Sequence, residues 1–158
     1  MSRFIIALVS FGLMAGACND ASHDEHAVQS NGYSAPVLKT REDTLFHEVM
    51  KGHDVGMAKV GKLRKNIDET THRLDSLSKL PAKKVDAAYK QALTNLQTDL
   101  KNADEEMDSW MQQFKLDSVA DNKELRIKYL EGERDKVAAV KEHMFSALKQ
   151  ADSLLNKQ

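Results

Sequence analysis

Five side chains in this sequence could hold a soft metal ion. Met50, His53 and Met57 stand three and four residues apart, so on a helix turning 100° per residue they share one face. Met107 and Met111 are four apart and face them from a second, antiparallel helix. Thioether sulfur with imidazole nitrogen suits Cu(I). The same residues suit plain packing. Methionine fills irregular gaps and lies well against rings such as Trp110 and Phe114, and a single histidine on an apolar stripe is more often a hydrogen-bonded core residue. Core packing is therefore the first expectation here, and a copper site the second. Haem ranks below copper. His53 with Met107 or Met111 resembles the ligand pair of b-type cytochrome bundles, but a three-helix core is narrow for a porphyrin and would need an added helix or a dimer.

Other motifs carry less. His47-Glu48 invites comparison with the zinc-protease helix motif, which needs a second His four residues after the first; Lys51 stands there. His53 lies 240° around the helix from His47, so the two cannot share one ion on an intact helix. There is no nucleophile elbow, Gly-rich phosphate loop or carboxylate dyad. The expectation is a protein that is not an enzyme. His72 and His143 fall beside the apolar stripes and are expected at the surface.

The elements that must position these residues are helices. From Glu42, the residues Phe46, Val49, His53, Gly56, Val60, Leu63, Ile67, Thr70, Leu74 and Leu77 step by four and three, a heptad-like seam. A second stripe runs from Val85 through Tyr89, Leu96, Leu100, Met107 and Trp110 to Phe114. A third runs from Leu130 through Glu133, Val137, Val140, Met144 and Ala151 to Leu154. The expected helices are 42–79, 81–115 and 121–156, with Pro81 in the first turn of the second and Asp121 with Glu124 as a capping box on the third. Short connections make antiparallel neighbours, so the expected fold is all-α, an up-down-up three-helix bundle. A longer coiled coil formed by homo-oligomers is the alternative. Folding back at Pro81 sets Phe46 against Phe114, Met50 against Met111 and Asp54 against Met107. One end then collects Phe46, Met50, His53, Met57, Met107, Trp110, Met111, Phe114 and Tyr129, while the other is plain aliphatic. Gly52, Gly56 and Gly61 in the first helix read as points of close helix approach, or as a local break around Gly52–Gly56 that frees His53. Glu133 is expected to find a partner, either His53 or a neighbouring Lys or Arg.

The N-terminal part reads differently. Met1-Ser2-Arg3 precedes an apolar run, Phe4–Ala17, of 14 residues, too short to span a bilayer comfortably. It has the form of a secretory signal. Cys18, the only cysteine of the chain, directly follows Ala15-Gly16-Ala17. That arrangement resembles the lipobox of bacterial lipoproteins and predicts lipidation at Cys18 after removal of residues 1–17. Residues 18–41 lack an apolar period and read as a disordered tether, with a reach of roughly 25 Å for its 20-odd residues. His23 and His26 flank two acids there and read as part of a solvated linker.

Composition agrees with one domain. The 158 residues carry 23 Lys plus Arg against 24 Asp plus Glu, without the basic excess of a nucleic-acid binder, so no nucleic-acid partner is expected. A single cysteine excludes an internal disulfide framework and a thiolate zinc cage.

The helical part resembles a group of small uncharacterised lipoproteins of Bacteroidota-type bacteria, some of them labelled "viral A-type inclusion protein". The resemblance rests on His47-Glu48-Val49-Met50, on His53-Asp54 with Met57, on Ala103-Asp104-Glu105-Glu106-Met107 with Trp110-Met111 and Phe114, and on Tyr129-Leu130-Glu131. Gly56 departs from the helix-friendly residue usual there. The resemblance implies an envelope lipoprotein of helical-bundle type and supplies no activity. The expected function is a non-enzymatic binding or structural role, lipid-anchored through Cys18 to a membrane, the outer membrane by expectation, with an envelope protein as partner.

Overall fold

The computed structural model describes residues 38–156. It contains three helices, α1 (Arg41–Ser78), α2 (Ala87–Gln113) and α3 (Lys123–Leu155), and no strand among the described residues. Each helix starts where a side chain can satisfy its orphan N–H groups. Thr40 and Asp43 form a reciprocal capping box on α1. The Asp86 carboxylate accepts from the N–H groups of Ala88 and Tyr89, and Asn122 accepts from those of Glu124 and Leu125.

These caps correct two expected boundaries. Pro81 does not open the second helix; it precedes a single 3-10 turn at Ala82–Lys84, and α2 begins only after Asp86, which can cap two donors where the residues at 81 cannot. The third helix is capped by Asn122 rather than by an Asp121–Glu124 box. The longer first connection moves α2 along α1 by two to three residues, so His53 lies against Trp110 and Met111 rather than Asp108.

The topology is up-down-up. Arg126 reaches Glu42, Arg134 reaches Glu48 and Lys62 reaches Asp152, so residue numbers on α1 and α3 rise together and the two helices are parallel. Trp110–Glu133 and Asp99–His143 run in the opposite sense and set α2 antiparallel to α3.

The core follows the three stripes. Val49, Leu63, Leu93, Leu100, Met107, Leu130, Val137, Met144, Ala147 and Ala151 are fully buried. α1 is unbroken through Gly52 and Gly56, and both glycines mark close approach. A Cβ on Gly56 would collide with Met107 Cε, and one on Gly52 would stand 2.9 Å from Val137 Cγ1. Gly61 and Gly132 meet nothing within 4 Å.

The connection from α2 to α3 holds one strained residue. Val119 has φ of 51°, a left-handed conformation that a β-branched side chain adopts only at a cost.

Candidate functional site

α1 and α2 bring two of the five candidate ligands into contact. His53 Nε2 lies 3.3 Å from Met111 Sδ. On the other side of the ring, Nδ1 lies 2.9 Å from Asp54 Oδ1. A carboxylate can only accept, so Nδ1 carries a proton. In the neutral ring Nε2 then presents its lone pair to the sulfur. The imidazole also sits 5.7 Å, centroid to centroid, from the Trp110 ring.

From Trp110 an aromatic stack crosses the bundle. Trp110 and Phe114 lie 5.1 Å apart, and Phe114 and Tyr129 lie 6.2 Å apart. Polar groups lock the two outer rings, Trp110 and Tyr129. Trp110 Nε1–H donates to Glu133 Oε2 at 3.0 Å, and the Lys115 N–H donates to the Tyr129 hydroxyl at 2.8 Å. The buried Glu133 has its second oxygen on Lys136 Nζ, at 2.8 Å. Its partners are thus Trp110 and a lysine, not His53.

The other candidate ligands lie elsewhere. Met107 is fully buried; its tip fills the volume that Gly56 leaves empty, beside Met144. Met57 is turned outward and 37% exposed. It follows Gly56, which holds the core position of that turn, so Met57 is carried 100° away from the seam. Met50 is half-buried, one turn before His53. Cys18, the apolar run before it, His23, His26 and most of the expected tether lie outside the described residues.

Two features escaped the sequence reading. Arg126, 6% exposed, donates to Glu42 Oε1 and to the Ser118 carbonyl, both at 3.1 Å, with its guanidinium 5.8 Å from the Tyr129 ring centroid. It ties the start of α1 to the α2–α3 connection. The second is His143. It was expected at the surface, like the exposed His72, but it is half-buried between two acids of α2. Its Nδ1 lies 2.8 Å from Glu106 Oε2 and its Nε2 lies 3.0 Å from Asp99 Oδ1. Hydrogen bonds to Glu106 and then Asp99 hold its pKa above the ordinary imidazole value. The available signal was that Asp99 and Glu106, seven residues apart, share one face of α2 and leave room for a ring between them.

Among the described residues, no three His, Cys, Asp or Glu side chains are placed to hold a metal ion together, and no helix is long and apolar enough to cross a membrane. The chain matches no protein-family model, no curated protein and no solved structure.

Proposed function

We propose that this chain is a lipid-anchored helical-bundle protein of the bacterial envelope, with a binding or structural role and no catalytic one. The observation that carries this reading is the placement of the only cysteine, Cys18, directly after an apolar run and three small residues. Acylation there turns a secreted chain into an anchored one, and two or more chains on one terminus hold it stably.

The bundle suits such a role. Its core is filled by side chains, and its outer faces carry charges of both signs in cross-helix pairs such as Lys62–Asp152 and Arg64–Asp104. Its hollows include an open surface groove of about 540 Å³ beside Leu77, Leu80 and Tyr89, a shape for contact with another protein rather than for enclosing a reacting molecule.

The test is metabolic labelling with an acyl-chain analogue in a bacterial host, comparing the wild-type chain with Cys18→Ala. The expected result is label and membrane fractionation for the wild type, and neither for the variant. An unlabelled wild-type chain would overturn the anchor. Crosslinking in the envelope, followed by identification of the captured protein, tests the binding role.

A further inference from the structure

We propose that His53 and Met111 form a Cu(I) site between α1 and α2, independent of whether the chain is anchored. The starting point is the direction of the donor atoms. Asp54 holds the proton on Nδ1, which leaves Nε2 free to bind a metal and orients the ring, the arrangement that backs metal-binding histidines generally. What Nε2 faces is not a proton acceptor of ordinary strength but the sulfur of Met111, at 3.3 Å.

That distance accommodates an ion. With bonds of about 2.0 Å to imidazole nitrogen and about 2.3 Å to sulfur, a 3.3 Å separation gives a nitrogen–metal–sulfur angle of about 100°. The nitrogen–sulfur separation is therefore already that of a near-tetrahedral bite. The site is reachable: the His53 side chain is 21% exposed, and Met111 is half-buried.

The donor set selects the ion. Both ligands are neutral, and one is a thioether. Zn²⁺ takes thiolate, imidazole and carboxylate, whereas Cu(I) is soft, singly charged and content with sulfur and nitrogen in low coordination. The five-residue cluster expected from spacing thus contracts to two ligands. Met107 is committed to the core against Gly56, and Met57 points away.

Trp110 supplies the readout. It is the only tryptophan of the chain, and its ring lies 5.7 Å from that of His53, so an ion bound at the site changes its emission. The experiment titrates Cu(I), kept reduced without oxygen against a chromogenic chelator, into the full chain in mild detergent. Cys18→Ala is present throughout, to remove a competing thiol. The expected result is one-to-one binding with a saturable change in Trp110 emission. Met111→Leu, which conserves volume and keeps the bundle folded, is expected to weaken binding at least tenfold, as is His53→Gln. Helical circular dichroism confirms that each variant is folded. Equal affinity in Met111→Leu, binding without any change in Trp110 emission, or equally tight Zn²⁺ binding would each overturn the proposal.

Discussion

The two ends of the bundle hold together by different means. At the end that begins with Thr40, the helices meet through rings and charged groups: the stack from His53 through Trp110 and Phe114 to Tyr129, Glu133 buried under Trp110, and Arg126 buried against Glu42. At the far end they meet mainly through Leu63, Leu93, Leu96, Leu148, Ala151 and Leu155, with Arg73 of α1 donating at the rim to the Tyr89 hydroxyl and the Leu155 carbonyl, and Gln97 donating to Thr71. The buried polar side chain there, Thr70, turns its hydroxyl back on its own helix, to the carbonyls of Asn66 and Ile67. Aliphatic burial is non-directional and tolerates sliding, whereas a ring with a fixed hydrogen bond admits one alignment. The packed interior of the far end thus contributes mainly stability, with Arg73 as its chief alignment tie, and the aromatic end contributes mainly register through its several fixed rings.

That contrast can be tested by substitution. The largest loss is expected from Leu100→Ala, which empties a fully buried site and should cost about 3 kcal/mol in denaturant unfolding. A cost below about 1 kcal/mol would mean that the aliphatic half collapses freely. Trp110→Phe should cost less, about 2 kcal/mol, by leaving Glu133 Oε2 without its donor. It should also broaden the methyl and aromatic NMR signals of that end alone. Broadening spread over the whole chain would refute a register role confined to one end.

Val119→Gly should act in the opposite direction. It releases the left-handed strain at φ 51° and raises stability by about 0.5–1 kcal/mol, net of the freedom that glycine adds to the unfolded chain. A loss of stability would mean that Val119 makes contacts outweighing its strain.

The smallest effect concerns His143, which lies between the two ends. Its pKa is raised in the folded state, first by Glu106 and then by Asp99. Its stabilisation is therefore fully present below the ordinary imidazole value of about 6.5 and is lost as pH rises through the higher folded value. The Tm of the wild type should decline across that window, and that of His143→Gln should decline less. Parallel curves would assign the pH dependence to other groups.

The helices and their order were legible because the apolar stripes are long and the turns between them short. The grouping of His53, Trp110, Met111, Phe114 and Tyr129 at one end was legible for the same reason, since antiparallel pairing at Pro81 fixes which residues share a level. What spacing did not show was orientation within a turn. Met50, His53 and Met57 share a broad face, but the seam runs through Val49, Gly56 and Leu63, and Gly56 admits Met107 from α2 in place of the side chain it lacks. The caps at Asp86 and Asn122 were missed by a few residues or by one, because several neighbouring side chains could accept the same N–H groups. Arg126 and His143 were missed because their burial depends on acids from other helices, which no single stripe records.

The parallel course of α1 and α3 has a mechanical consequence. Leu38 enters at one end of the bundle, and Asn156 leaves at the other, one helix length of about 50 Å away. A pull between these points draws α1 and α3 lengthwise past each other. The cross-ties at Glu42–Arg126, Glu48–Arg134 and Lys62–Asp152 are then loaded together rather than one after another. The geometry of axial tension is that of a lap joint, whereas a sideways pull on α2 would meet its contacts one after another.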